Sequence, residues 1–350
     1  MPDTLHKTLI IRLSSVGDIV LSTPLIRALR RRFPQSQIDF LVKSEYAELL
    51  RGNPNLSTVF EFPAEGTMDD IHRLREAVLG SGYDLIIDIH GSLRSRILCR
   101  GKDNVVRVHK RVFPRYLLVR LKRDLYRYFR GAPGVAERYL EIVRPWDVVD
   151  DGEGPELFPP ATAHARVREL LGSLSAQSAL LIGLCPSARH FTKIWPAERF
   201  VETGAALARK HRAGLIILGS SAESERCGEI ANQILSLEPT VQLVDLSGRI
   251  SLIETAAAMD SCSVVLTNDS GLMHIAAARK RNIVALFGST VRQFGFFPPS
   301  GQSIVLEQHA LACRPCTHIG RATCPRGHFR CMLDILPSRV IDAVGAFIQS

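Results

Sequence analysis

The segment Thr267-Asn268-Asp269-Ser270-Gly271-Leu272-Met273-His274 sets small polar residues where an apolar run ends and a helical pattern begins. Asn268, Asp269 or Ser270 can cap the helix, and Gly271 lets a ligand approach the backbone closely. The open N–H groups and the positive end of the helix dipole favour an anion such as phosphate. His274, about one turn inside, could face that anion, or could simply be packed in a well-capped helix. A second loop, residues 185–196, carries Ser187, Arg189, His190, Thr192 and Lys193. Here Lys193 could meet a diphosphate as a point charge, helped by the Thr192 hydroxyl. Two such loops in one half of the chain favour a shared anionic ligand. In a third loop, residues 219–225, Glu223 could accept the two hydroxyls of a ribose. It could equally be an acid suited to the first turn of a helix.

Near the N-terminus, Ser14-Ser15-Val16-Gly17-Asp18 follows an apolar run. It is neither a P-loop nor a Gly-x-Gly-x-x-Gly turn. A single acid beside a glycine suits a general base, with a helix N-cap as the structural alternative. Further on, Cys313-x2-Cys316-x7-Cys324-x6-Cys331 has the count of a structural zinc site, with His318 and His328 nearby. Its second pair is spaced too widely for a zinc ribbon, so reduced packed thiols are the competing reading. The remaining cysteines are scattered and read as small buried hydrophobes.

These loops need strands and helices to hold them. Leu9–Leu13, Ile38–Val42 and the apolar run Asp84–Ile89 read as strands, and Leu21–Phe33 as a helix stopped by Pro34. Residues 148–160, rich in Gly, Pro and acids, read as a linker. A second alternating series follows, from the strand Leu180–Leu184 to the strand Ile283–Phe287. The chain closes with an amphipathic helix over Val340–Ile348. This alternation predicts two α/β domains with parallel sheets: 1–160, 161–335, and a C-terminal helix over 336–350. Ligands of such sheets bind beyond the carboxyl ends of the strands, so a cleft there is the expected site.

At 350 residues, two domains are the natural division. Hydrophobic content of 46% and 23% charged residues suit a globular protein. The first apolar stretch is too short to cross a bilayer, and Arg12 interrupts it. With no signal-peptide pattern the expected location is cytoplasmic, with reduced cysteines. The net charge of +9 is concentrated: between Arg94 and Arg130 there are 13 Lys and Arg against Asp103 and Asp124. A solvated helix face is one reading of this stretch. Contact with a phosphorylated acceptor or an anionic membrane surface is the other. No nucleic-acid-binding motif accompanies it, so nucleic acid is not an expected partner.

Taken in order, the motifs resemble glycosyltransferase family 9, the ADP-heptose:lipopolysaccharide heptosyltransferases. The resemblance runs through residues 10–24, Tyr83 to Ser95, Lys193-Ile194-Trp195-Pro196, Leu246 to Leu252, Thr267 to His274, Ala285 to Thr290, and the cysteine segment. It implies a GT-B fold of two Rossmann-like domains facing across a cleft, the first for acceptor and the second for donor. It also implies inverting transfer of heptose from ADP-heptose to the lipopolysaccharide core precursor without a required cofactor, at the cytoplasmic face of the inner membrane. Asp18 would be the base and Lys193 would stabilise departing ADP. Thr192, Ser270, Gly271 and His274 would assist on the phosphates, Asp269 would hold donor sugar hydroxyls, Glu223 the ribose, and the backbone near Ile250 the adenine. Ser15, Gly17, Arg94 and Arg96 would meet the acceptor. The sequence departs from the family's small or hydroxylated pattern at Ala188, Arg189 and His190. A nicotinamide oxidoreductase is disfavoured by the missing Gly-x-Gly-x-x-Gly, and an inactive nucleotide-binding scaffold by the presence of both Asp18 and Lys193.

Overall fold

The computed structural model describes residues 4–348 apart from 81, 129–131, 173, 175–177 and 300. The chain forms two compact units. The first is Met1–Arg111 with Pro133–Phe158, and the second is Val112–Ala132 with Pro159–Ser350.

The first unit is built on five parallel strands: β1 (Lys7–Ile11), β2 (Gln37–Lys43), β3 (Thr58–Phe62), β4 (Leu85–Asp88) and β5 (Val105–Arg107). Their order across the sheet is β3-β2-β1-β4-β5. Leu9, Ile10 and Ile11, Phe40 and Leu41, and Ile86 and Ile87 are all buried, which explains the unbroken apolar runs. Helices α1 (Val16–Val20), α2 (Thr23–Arg32), α3 (Glu48–Arg51), α4 (Met68–Leu74) and α5 (Leu93–Leu98) connect the strands. The strand order reverses between β1 and β4, so the loops after these two strands flank the switch point. The first leads into α1, which carries Asp18, and the second carries His90.

The region expected to be a linker is instead tied to α2. Arg27 pairs with Asp151 at 2.7 Å and with Glu156 at 2.6 Å, and the Glu156 backbone N–H donates to Thr23 Oγ1 at 2.9 Å. These bonds hold Asp151 well below the usual carboxylate range, chiefly through its hydrogen bond with Arg27. Composition marks 148–160 as irregular, but its acids match the arginines of α2.

Helix α6 (Val112–Leu121) departs from the expected division at 160 by grouping with the second unit. The cause is packing: Leu118, Val119 and Tyr126 share a small core with Val291, Phe294 and Phe296. Asp124 also accepts a hydrogen bond from Gln293 Nε2 at 2.9 Å. Lys122 Nζ donates to the carbonyls of Val119 and Cys313 at 2.9 Å and of Pro315 at 2.5 Å. The chain then returns to the first unit, where α7 (Val135–Glu141) packs against α2.

The second unit holds six parallel strands: β6 (Leu181–Cys185), β7 (Gly214–Ile217), β8 (Leu243–Asp245), β9 (Val264–Asn268), β10 (Asn282–Phe287) and β11 (Ser303–Glu307). Their order is β11-β10-β9-β6-β7-β8, so the switch point lies between β6 and β9. Its helices are α8 (Ala161–Leu171), α9 (Ala197–His211), α10 (Ser224–Leu237), α11 (Leu252–Asp260), α12 (Gly271–Ala278), α13 (Arg330–Leu333) and α14 (Pro337–Ile348). Val340, Ala343 and Val344 of α14 belong to the main core, so residues 336–348 are part of this unit and not an appendage. Among the described residues no helix is long and apolar enough to cross a membrane.

Candidate functional site

In the first unit Asp18 lies in the first turn of α1, not in an open loop as its sequence suggests. Arg12, which reads in the sequence as a break in an apolar run, is its partner. Arg12 Nη2 approaches Asp18 Oδ2 at 2.6 Å, and Nη1 donates to the Ile89 carbonyl at 2.7 Å. Ser15 Oγ donates to Asp18 Oδ2 at 3.1 Å, and the Tyr139 hydroxyl donates to Oδ1 at 3.3 Å. Burial pushes the Tyr139 phenol well above its ordinary range, so it serves as a donor and does not ionise. Three donors from three elements therefore fix the orientation of the Asp18 carboxylate. Gly17 is buried within α1, and Ser15 is exposed at its start.

The loop after β4 is organised by Asp88, a fully buried carboxylate. Its Oδ1 accepts the backbone N–H of His90 at 3.1 Å and of Gly91 at 2.8 Å. Its Oδ2 accepts the Ser95 hydroxyl at 3.0 Å and Arg107 Nε at 3.3 Å. Ser92 and Ser95 form a capping box at the start of α5, which leaves Arg94 and Arg96 pointing outward. Both are exposed, and neither forms an ion pair among the described residues. His90 is held neutral: burial first, then Arg12 and Lys110, lower its pKa to about 4. Arg130, last of the basic series, lies outside the described residues.

The second unit brings Lys193 and Asp269 together. They come from the loops after β6 and β9, the two strands at the switch point, and Lys193 Nζ lies 2.8 Å from Asp269 Oδ2. Thr290, after β10, donates to the same oxygen at 2.6 Å. Both bonds fall on Oδ2, which leaves Oδ1 for another donor. The helix start behind them is Ser270, N-cap of α12, whose side chain makes no capping bond. Ser270 Oγ and Asn268 Nδ2 are buried without a hydrogen-bond partner among the described residues. Buried polar atoms are almost always paired, so two orphans beside a lysine at a helix N-terminus mark a place for a polar ligand. His274 is buried one turn further in, 6.2 Å from the Phe296 ring.

Two expected donor contacts are used differently. The Thr192 hydroxyl is buried, donating to Ser289 Oγ at 3.0 Å and accepting the Arg321 N–H at 2.9 Å. It ties the lysine loop to its neighbours and has no free donor for a phosphate. Glu223 spends Oε2 on the Ser220 N–H and hydroxyl, at 2.9 and 2.8 Å, in a capping box. Its Oε1 carries no such bond, so the cap and ribose readings are compatible. Ile250 is partly exposed in the loop after β8. There Gly248, at φ +67°, passes so close to Ser221 that a Cβ would sit 2.9 Å from the Ser221 Cα.

The cysteine segment is spread over several environments. Among the described residues no three His, Cys, Asp or Glu side chains converge as a metal-binding group. Cys331 is drawn into the main core beside Met332, and burial pushes its thiol up to about 12. Cys313 instead faces His328, with Sγ 3.7 Å from Nε2. The segment's contribution is Arg314, which sequence reasoning passed over between two cysteines. It is buried, pairs with Glu307 at 2.7 Å, and donates to the carbonyls of Gly288 at 2.6 Å and Thr290 at 2.8 Å. Arg314 therefore fixes the loop that orients Thr290 toward Asp269.

Comparison with known proteins agrees with this architecture. Residues 71–325 match the family model for glycosyltransferase family 9 (heptosyltransferase). Lipooligosaccharide heptosyltransferase 2 of Haemophilus influenzae is 29% identical over 355 residues, spanning 97% of this chain and 99% of that protein. Among solved structures, a family 9 glycosyltransferase from Veillonella parvula superposes with a TM-score of 0.79 at 19% identity, covering 99% of this chain and 98% of that one. The E. coli ADP-heptose lps heptosyltransferase II gives 0.73 at 23% identity, with 98% of each chain covered. Two Rossmann-like parallel sheets of this kind are the GT-B fold, and with nearly three-quarters of its length matched, the chain belongs to glycosyltransferase family 9, the heptosyltransferases.

Proposed function

We propose that the protein transfers heptose from ADP-heptose to a sugar hydroxyl of the lipopolysaccharide core precursor, with inversion at the anomeric carbon. The observation that carries this reading is the Lys193–Asp269 pair at the switch point of the second sheet, beside the Ser270 hydroxyl, which has no partner among the described residues.

In the second unit, Lys193 and the open N-terminus of α12, with Gly271 at its first position, offset the charge that develops on the departing diphosphate. Ser270 Oγ donates to the same phosphates, and His274 borders them. Asp269 holds the lysine through Oδ2 and accepts a donor sugar hydroxyl through Oδ1. Glu223 accepts a ribose hydroxyl through Oε1, and the backbone near Ile250 lines the adenine. Thr192 acts through Lys193 as a positioning residue. In the first unit, Asp18 takes the proton of the attacking hydroxyl, its orientation set by Arg12, Ser15 and Tyr139. Arg94 and Arg96, without ion pairs among the described residues, meet phosphates on the acceptor, with Ser15 and Gly17 beside the base. This scheme supplies its positive charge from side chains and a helix dipole, and so needs no resident metal. It places the enzyme in the cytoplasm, at the inner membrane face where a lipid A-linked acceptor is presented.

The test is calorimetric binding of ADP, UDP and GDP to the wild type and to Lys193→Ala, followed by transfer from ADP-heptose with the product's anomeric configuration read by NMR. Selective ADP binding that weakens in the variant, with an inverted product, is the expected result. Preference for UDP or GDP would replace the donor, and a retained configuration would remove Asp18 from the role of base.

A further inference from the structure

Helix α6 is covered on one side only. Its inner residues, Leu118 and Val119, pack on Phe294. Its outer side consists of two adjacent i, i+4 rows, Val112-Tyr116-Arg120 and Phe113-Leu117-Leu121. Phe113 is 66% exposed, and Tyr116 and Leu121 are each 57% exposed. An isolated exposed hydrophobe is ordinary, but a whole helix face of them is not. Cations border it: Arg120 lies within the face, Arg123 follows directly, and the exposed Arg127 and Tyr128 stack on each other with the guanidinium 4.8 Å from the ring centroid. Arg120, Arg123 and Arg127 pair with no acid among the described residues. The nearby acid, Asp124, is already engaged by Gln293.

We propose that this face docks on an anionic lipid bilayer. Aromatic and aliphatic side chains interleaved with arginines are what an interfacial helix presents. The rings enter the headgroup boundary while the guanidinium groups remain with lipid phosphates. A protein partner would more simply match the apolar rows, and a nucleic acid the cations. The bilayer is the partner whose chemistry uses both on one face. Each cation held near an anionic surface raises partitioning about fivefold. Two unpaired arginines therefore contribute roughly twenty-five-fold, to which Phe113 adds about tenfold on insertion.

The test floats the full-length protein with vesicles of phosphatidylcholine alone or with added phosphatidylglycerol, free of any glycolipid or nucleotide. Failure here would leave the transfer reaction untouched. The wild type should float with the anionic vesicles only, and lose them as salt is raised. The double variant Arg120→Gln/Arg123→Gln should bind about twenty-five-fold more weakly, and Phe113→Ser about tenfold more weakly. All these positions are exposed, so the folded state is checked by an unchanged thermal midpoint. Phe113→Trp keeps the face intact and should shift its emission to the blue when anionic vesicles are added. Equal binding to neutral vesicles, no loss in the arginine variant, or no shift from Phe113→Trp would overturn the proposal. Binding of single-stranded RNA with the same arginine dependence, in the absence of vesicle binding, would also overturn it.

Discussion

His90 offers a direct check on the electrostatics around Asp18. Its pKa falls from 6.5 to about 4, because burial disfavours the charged ring and because Arg12 and Lys110 repel it; Asp88 and Asp18 oppose the shift less strongly. The folded state therefore prefers neutral His90. The associated stability is fully present above about pH 6.5 and is lost as pH falls toward 4. A shift of this size is worth about 3 kcal/mol in total, of which about 2 kcal/mol is gone by pH 5. Solvent reaching part of the ring makes these upper figures. The chain has two tryptophans, Trp146 in the first unit and Trp195 in the second. In a Trp195→Phe background, Trp146 emission reports unfolding of the first unit alone. Urea unfolding at pH 8 and pH 5, with and without His90→Gln, gives a double difference in which other titrating groups cancel. The loss of stability between the two pH values should be about 2 kcal/mol smaller in the His90→Gln protein. Equal losses would refute the neutral, repelled histidine described above.

Asp18→Asn should lower the turnover rate by about 10²–10⁴ while leaving ADP affinity by calorimetry unchanged, as loss of a general base requires. Ser270→Ala removes a hydroxyl that has no hydrogen-bond partner among the described residues. Its thermal midpoint should therefore stay level or rise, while ADP affinity falls about tenfold, the value of one hydrogen bond to a charged group. Arg314→Met breaks a buried ion pair and frees two carbonyls of the β10 loop. It should cost about 3–5 kcal/mol in chemical denaturation. Dialysis against a chelator should leave the transfer rate unchanged, and a loss restored by one metal would refute the metal-free scheme.

Much of this architecture is legible in the sequence, and the gaps have physical causes. Strands inside the sheets, such as β1, β4, β6, β9 and β10, are covered on both faces and so appear as unbroken apolar runs. The edge strands β3, β5, β8 and β11 lack that cover. Thr58-Val59-Phe60-Glu61-Phe62 mixes exposed and buried positions, Val105-Val106-Arg107 is only partly buried throughout, and neither gives such a signal. The lysine loop and the start of α12 stand out because turn residues follow a strand. What joins them does not: the ion pair between Lys193 and Asp269 depends on β6 and β9 lying side by side, which only the sheet order reveals. The same holds for Arg12, which is separated from Asp18 by the turn between β1 and α1, and for Thr192, whose hydroxyl looks available until Ser289 and Arg321 are placed beside it.

The departure of residues 112–132 from the first unit bears on how the chain is made. The bond from Gln293 to Asp124 spans 169 residues. A ribosome adding about 5–20 residues per second takes roughly 10–30 s to cover that distance. All five strands of the first sheet, and α7, lie before residue 159, so that sheet can close early in synthesis. Meanwhile α6 waits with Leu118 and Val119 uncovered, because Phe294 has not yet been made. The nascent protein therefore carries α6 bare on its inner side as well as its outer one through about half of its translation. During that interval a chaperone or a membrane would meet the helix before its own second unit exists.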